Sequence, residues 1–442
     1  MILSCQNICK AFNEEAILTN VSFHIEDYDK AAIVGINGAG KTTLLRIIVG
    51  EQSADDGIVT LAKGKTLGYL AQNQDINSNH TIYDELLSVK ADVIAMEEKI
   101  RETEHAMKET SGKELEALMD TYTRLNHAFE MANGYAYKSE IVGVLKGLGF
   151  TEEEFSKSIT TLSGGQKTRV ALGRLLLLKP DLIILDEPTN HLDMNSIAWL
   201  ETYLLNYKGA VIIVSHDRYF LDKIAGKVIE IDQTKATSFV GNYSDYAVKK
   251  EQLRQAALNA YLKQQQEIKH QEEVIEKLKS FNREKSIKRA ESREKMLNKI
   301  EVLDKPTTAR TDIHMTLTPR YASGNDVLHI EGLSKSFGKQ KLFENLSMDL
   351  KRGEHVAIIG DNGTGKSTFI KCLLGEEDCK GRIQFGPTVK WGYLPQIIHF
   401  DHPERTLYDT MLYEKNCTPQ TARDRLGAFM FRGEDVFKTV GS

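Results

Sequence analysis

The chain contains one phosphate-binding loop twice, and a loop of that kind dictates much of the architecture around it. Residues 35–42 read Gly35-Ile36-Asn37-Gly38-Ala39-Gly40-Lys41-Thr42, and residues 360–367 read Gly360-Asp361-Asn362-Gly363-Thr364-Gly365-Lys366-Ser367. Both fit G-x-x-x-x-G-K-[ST]. Each follows an apolar strand-like run (31–34 and 356–359) and precedes a helix-like one (44–48 and 369–374), the context in which the pattern has a mechanism. Glycines let backbone N–H groups converge on phosphate oxygens, and the helix start adds partial positive charge. Lys41 and Lys366 would reach the β- and γ-phosphates of ATP, while Thr42 and Ser367 would hold Mg²⁺. Thr43 and Thr368 complete the two sets of candidate ATP ligands. An α/β fold with two nucleotide sites follows.

The halves align at a nearly constant offset. Phe12 maps to Phe337, Gly35 to Gly360 and Lys41 to Lys366, each 325 residues apart. Beyond Gln72 and its counterpart Gln396 the offset falls to 281, so the first half carries about 43 extra residues. They lie within 84–137, which reads as two long helices around Thr110-Ser111-Gly112. Between 85 and 130 there are 11 acids against 6 Lys/Arg, as expected of a projecting helical arm. On the offset of 281, Leu162 would map to position 443, past the last residue of this 442-residue sequence.

Length and composition suit a multidomain soluble protein. With 41% hydrophobic residues the chain has no apolar run near the ~18 residues of a membrane span. Five dispersed cysteines suggest a reduced, cytoplasmic chain. The net charge of −5 points to no polyanionic partner, but one patch does. In the helical stretch 246–304, the segment 277–295 holds eight basic residues, Lys277, Lys279, Arg283, Lys285, Lys288, Arg289, Arg293 and Lys295, against three acids. At the tip of a two-helix hairpin they form a candidate RNA-backbone contact.

The first half then presents further elements in a fixed order. Gln72 follows a strand-like Leu67–Leu70, and Leu162-Ser163-Gly164-Gly165-Gln166 opens a helix. The buried run Leu182–Leu185 ends in Asp186-Glu187, and Val211–Val214 ends in Ser215-His216-Asp217. Asp186 can hold Mg²⁺, with Gln72 and, in the second half, Gln396 as further metal contacts. Glu187 can polarise the attacking water, and His216 can stabilise charge on the γ-phosphate. Ser163, Gly164, Gly165 and Gln166 offer an anion site at a helix start. Phe12 and Phe337, about 23 residues before their loops, can stack on adenine.

This motif set, with LSGGQ at 162–166, resembles the nucleotide-binding cassettes of the ABC superfamily. Two cassettes in one chain with a long charged helical linker resemble the ABC-F family. The resemblance implies a first cassette over 1–245, a linker over 246–312 and a second, incomplete cassette over 313–442. It implies ATP-dependent binding at the ribosomal E site, with the linker directed to P-site tRNA and the peptidyl-transferase centre, and release on hydrolysis. A long arm and modest linker favour a housekeeping translation factor over an antibiotic-resistance protein. A tandem importer ATPase and a direct RNA- or DNA-binding ATPase are the alternatives. ABC cassettes share each ATP head to tail, and this sequence holds one signature. Weak turnover, self-association through first cassettes, and an exposed, partly disordered 401–442 are therefore expected.

Overall fold

A computed structural model describes the chain except at residues 14, 72–77, 281–283, 300–302, 304–322, 339, 362, 396–397, 399, 416, 432 and 442, and except for the side chains of 284–287, 289, 340 and 414–415. Two compact units result, Met1–Gln255 and Ala256–Ser442.

In chain order the first unit comprises β1 (Leu3–Phe12), β2 (Glu15–Ile25), β3 (Lys30–Val34), α1 (Lys41–Val49), β4 (Asp56–Leu61), β5 (Leu67–Leu70) and α2 (Ile82–Ser88). The arm follows as α3 (Ala91–Glu109) and α4 (Lys113–Met131). After it come α5 (Tyr137–Gly147), α6 (Gly164–Leu178), β6 (Leu182–Asp186), α7 (Met194–Leu205), β7 (Ala210–Val214), α8 (Arg218–Ile224), β8 (Lys227–Asp232) and β9 (Lys235–Val240).

Among the described residues, a six-stranded sheet runs β5-β6-β7-β3-β8-β9, parallel except for β9, and a three-stranded antiparallel sheet runs β2-β1-β4. The central strands are apolar throughout because both of their faces are covered. Ala32, Val34, Ile183, Leu185, Val211 and Ile213 face a core shared with α2 and α5–α8. The alternate residues Ala31, Ile33, Leu182, Ile184, Ile212 and Val214 face a second core shared with α1 and the antiparallel sheet. The period of two thus divides one continuous hydrophobic run between two layers.

The arm turns where its Thr-Ser-Gly suggests, with Gly112 at φ 75°. Its helices are antiparallel neighbours, joined by Tyr122 Oη donating to Glu104 (2.8 Å). Tyr137 Oη donates to Glu97 at the arm's base (2.8 Å).

The linker helix α9 (Tyr243–Ser280) is 38 residues, about 57 Å at 1.5 Å per residue. Its root is bolted to the first unit: Tyr246 Oη donates to buried Glu230 on β8 (2.6 Å), and Lys250 pairs with the same carboxylate. Helix α10 (Glu284–Leu297) doubles back along α9, with Lys279–Glu294 (2.9 Å) and Arg293 donating to Gln271 (2.7 Å). Ile275 and Ala290 are buried.

The second unit repeats the first at its start. Strands β10 (Asp326–Phe337), β11 (Gln340–Lys351) and β12 (Lys380–Phe385) form a sheet ordered β11-β10-β12, and α11 (Lys366–Leu374) leaves the second loop. The loops are twins in backbone: φ is 81° at both Gly38 and Gly363, and 92° and 94° at Gly40 and Gly365. The strands feeding them differ. Ala31, Ala32 and Ile33 are fully buried, whereas Val356, Ile358 and Ile359 are 56, 46 and 78% exposed and lie in no strand. β3 is sandwiched between β7 and β8, and the sequence carries no second copy of those strands. The exposed apolar surface expected within 401–442 is present at Tyr413, Phe429 and Phe437, while much of the described segment is helical. Helices α12 (Leu407–Lys415) and α13 (Pro419–Ala428) form there, with Ala422, Leu426 and Val436 buried and Thr406 bridged to Thr439. Thr418 caps α13 and Pro419 suits its first turn, local signals that need no distant partner.

Hydrogen exchange should separate the two feeding runs. Amides of 31–34 should be protected to near the global stability, while those of 356–359 should exchange orders of magnitude sooner. Equal protection would mean that the second run finds strand partners in solution.

Candidate nucleotide site

Parallel strands bring their C-terminal ends to one edge, and that is where the first-half motifs meet. A cavity of about 510 Å³ is lined by Phe12, Ile17, Asn37, Gly38, Gly40, Lys41, Thr42, Thr43, Asp186, Glu187, Asn190, Val214 and His216. Gly40 needs to be glycine for two reasons. Its φ of 92° is left-handed, and a Cβ would lie 2.6 Å from Ile17 Cγ2. Lys41 Nζ donates to the carbonyls of Gly35 (2.8 Å) and Ile36 (3.0 Å), so it is held over the loop. Burial lowers its pKa, opposed by the charges of Glu187 and Asp186.

Thr42 Oγ1 donates to Asp186 Oδ2 at 3.2 Å, bringing a hydroxyl and a carboxylate from two elements to one point. That donor set of hard oxygens fits Mg²⁺. Asp186 is 2% exposed, and burial raises its pKa. Glu187 follows it with φ 52°, a left-handed conformation uncommon outside glycine, which turns consecutive carboxylates different ways. Its Oε2 accepts from the His216 backbone N–H (3.3 Å), and its Oε1 lies 3.6 Å from His216 Nε2. Burial is again the largest influence and raises its pKa, with His216 opposing. The Asp186 and His216 loops are tied by Thr189 and Ser215, hydroxyl to hydroxyl at 3.3 Å.

Gly35 and Ala39 belong to the loop without lining the cavity. Ser163 caps α6 in a reciprocal box with Gln166: its Oγ accepts from Gln166 N–H (3.3 Å), and its own N–H donates to Gln166 Oε1 (3.1 Å). Ser163 and Gly164 are exposed, and the signature does not line this unit's own cavity. In the second unit Lys366 Nζ repeats the Lys41 geometry, donating to Gly360 (2.7 Å) and Asp361 (2.6 Å) carbonyls. Gly363, Thr364, Ser367 and Thr368 surround that helix start. Phe12 and Phe337 are 47 and 50% exposed, and each has a lysine near its ring: Lys10 at 5.7 Å and Lys335 at 4.7 Å. Gln72, Asn362, Gln396 and Arg283, and the side chains of Lys285 and Arg289, lie outside the described residues. Lys277, Lys279, Lys288, Arg293 and Lys295 are exposed on the hairpin. Asn190, which opens the Asn190-His191-Leu192-Asp193 motif after the carboxylate pair, also lines the cavity, as does Ile17. Asn190 stands three residues beyond Glu187 and donates its N–H to the Glu187 carbonyl (3.2 Å). Ile17 carries no motif signal, because only folding places β2 over Gly40.

A phosphate loop, a strand-end carboxylate pair with a histidine beside it and a capped signature helix define an ATP-binding cassette of the ABC type. Comparison with known proteins agrees. A family model described as ABC transporter matches residues 18–190 and 343–439, and a second so described matches 229–315. YdiF of Bacillus subtilis is 41% identical over 447 aligned positions, covering 100% of this chain and 69% of YdiF. ABC transporter F family member 5 of Arabidopsis thaliana is 32% identical, covering 99% of this chain and 62% of that protein. Energy-dependent translational throttle protein EttA of Mycobacterium tuberculosis is 31% identical, covering 100% and 78%. The chain belongs to the ABC-F family of ABC ATPases. No helix among the described residues is long and apolar enough to cross a membrane.

Two substitutions test the geometry. Gly40→Ala should destabilise the first unit by about 1–3 kcal/mol in urea unfolding, through the forced contact with Ile17 and the left-handed φ. An unchanged midpoint would show that the loop relaxes freely. Glu187→Gln should act in the opposite direction without nucleotide. Because the folded-state pKa is raised, the ionised carboxylate costs stability above its unfolded pKa, and that cost is relieved as pH falls through the folded value. A neutral amide removes it, so thermal unfolding near pH 7 should move upward. A lower melting temperature would contradict burial as the governing influence.

Proposed function

We propose that the first unit binds ATP with Mg²⁺ and hydrolyses it, and that the nucleotide governs binding of the chain to ribosomes. The observation carrying the first half is the convergence of Lys41, Thr42, Asp186, Glu187 and His216 in one cavity. Lys41 exchanges a carbonyl partner for β/γ-phosphate oxygens. Thr42 and Asp186 would hold Mg²⁺, which when bound would supply charge neutralisation for the phosphates. Glu187, with its pKa raised by burial, is the base that orients and deprotonates the attacking water. His216, beside Glu187, would donate to the γ-phosphate oxygens. Phe12 offers its exposed ring to the adenine. Gln72 is assigned to the metal and attacking water, as Gln396 is to the second metal position. Asn362 joins the second loop's phosphate ligands.

Ser163 to Gln166 face away from their own cavity and serve the ATP of a facing cassette. A cassette pair is therefore the working unit, formed within a chain of full family length or between first cassettes of two chains. The proposed boundaries are 1–245 for the first cassette, 246–312 for the linker and 313–442 for the part of the second present here.

The ribosome reading rests on the exposed basic residues of the α9–α10 hairpin, supported by the likeness to a relative named as a translational throttle protein. We assign the ATP-bound chain to the ribosomal E site, with Lys277–Lys295 toward P-site tRNA and the peptidyl-transferase centre and Arg283, Lys285 and Arg289 at the tip. A housekeeping role in translation, in the cytoplasm and without a membrane partner, is favoured over drug displacement by the length of the arm.

Glu187→Gln should slow ATP turnover by about 10²–10⁴-fold while leaving ATP bound. Wild-type activity should fall on the acid side at a pH above glutamate's usual 4.5. A substitution that loses ATP binding as well would make Glu187 structural. The Glu187→Gln chain should pellet with bacterial ribosomes only with ATP, and replacing Lys277, Lys279, Arg293 and Lys295 by Gln should abolish this. Absence of ATP-dependent pelleting, also after a second cassette is completed, would overturn the ribosome reading.

A further inference from the structure

Helix α11 ends in a turn that brings two cysteines together. Cys372 lies in its last turn, and Cys379 immediately precedes β12. Gly375 caps the helix at φ 75°, and Glu376 N–H returns to the Lys371 carbonyl (2.9 Å), so the chain reverses between them. The Cys379 thiol is the group that neighbours the Cys372 thiol. At the same places in the first unit, 325 residues earlier, stand Ile47 and Ala54, which pack in one apolar core. The same reversal separates these positions in both units, through Gly50 and Gly375, and only the second unit fills them with sulfur.

Their surroundings differ in a useful way. Cys372 is 2% exposed, and burial pushes its thiol up to about 11, with Cys379 adding to the rise. Cys379 is partly exposed on the wall of a cavity of about 460 Å³, beside Lys335, Lys380 and Asp378. One thiol is accessible, the other shielded behind it.

We infer that Cys372 and Cys379 are a thiol-modification site that closes to a reversible intramolecular disulfide, with a small-molecule disulfide such as oxidised glutathione as the oxidant. The Cys379 thiolate attacks one sulfur of the oxidant, forming a mixed disulfide and releasing one small thiolate. The Cys372 thiolate attacks Cys379 Sγ and expels the second. Two protein thiols and one small disulfide become one protein disulfide and two small thiols. Two electrons pass to the oxidant, and the two thiol protons to the leaving thiolates. Closure needs the two sulfurs to reach the covalent ~2.05 Å. The bond encloses Glu377 and Asp378, which hold Lys335 through its ion pair with Glu377 (2.8 Å) and the Asp378 carbonyl (2.6 Å). Lys335 is the cation 4.7 Å from the Phe337 ring centre, so closure fixes the segment behind the second unit's aromatic platform.

The test uses the native chain treated with oxidised glutathione, alkylated and digested with trypsin. Cleavage after Lys371 and Lys380 isolates both cysteines on one peptide. That peptide should lose two hydrogens in mass, resist alkylation and recover both with dithiothreitol. Titratable thiols should fall from the five of the sequence by two. Cys379→Ser should abolish the change, and Cys372→Ser should leave a persistent glutathione adduct on Cys379. Closure should be at least tenfold faster in the native chain than in urea, because the fold raises the local thiol concentration. Full alkylation of the wild-type peptide after oxidation, a cross-link from either cysteine to Cys417 or to a second chain, or equal rates in urea would each overturn the inference.

Discussion

The burial of β3 between β7 and β8 is the constraint on which the nucleotide site depends. A parallel sheet satisfies its backbone only when every inner strand has two neighbours and both faces are covered. The first unit meets those conditions with two separate cores. In return, β3, β6 and β7 end at one edge, and the groups that follow them, Gly35 to Thr42, Asp186-Glu187 and Ser215-His216, converge there without any mutual sequence proximity. Removing the neighbours removes the convergence. Residues 356–359 are exposed and form no strand, yet the loop after them keeps its glycine conformations.

That internal contrast separates what is local from what is not, and it explains how much could be read from the residues. Both phosphate loops, the helices leaving them, the Thr110–Gly112 turn and the Ser163 cap are short-range patterns, and they stand in the structure where the sequence indicates. The strand order β5-β6-β7-β3-β8-β9 is not legible in this way, because period-two apolar runs state burial without naming neighbours. Nor is the left-handed Glu187, which no glycine announces and which the Val214 carbonyl holds by accepting the Glu187 N–H (2.8 Å). Ile17 was invisible for the same reason as the strand order. The helices of 401–441 escaped because the reading weighed lost long-range contacts above local caps. Thr418 and Pro419 were sufficient signals.

Electrostatics at the site follows from the same burial. Asp186 and Glu187 are adjacent carboxylates whose pKa values both rise, and Lys41 is a cation whose pKa falls, each with desolvation as the largest cause. All three are disfavoured in their charged forms by the empty protein. A bound polyphosphate with its metal brings charges of both signs to just these groups: anionic oxygens for Lys41 and a cation for Asp186. Ligand charges at these groups would offset that desolvation.

The linker is tied to this arrangement by a short physical route. Glu230 pairs in register with Val34, the residue before the phosphate loop, and its carboxylate holds Tyr246 and Lys250 of α9. On the other side, Ser244 N–H donates to Asp222 of α8 (2.7 Å), the helix that begins just after His216. A buried carboxylate with two partners is costly to disrupt, since removing either partner strands a charge or a polar group. The first turns of a helix about 57 Å long are thus fixed to the two elements flanking the phosphate loop and His216. Beyond Gln255 the helix depends on α10, through Ile275, Ala290 and a few polar pairs. A rigid root and a lightly held tip fall on one continuous helix, and the basic residues gather at the lightly held end.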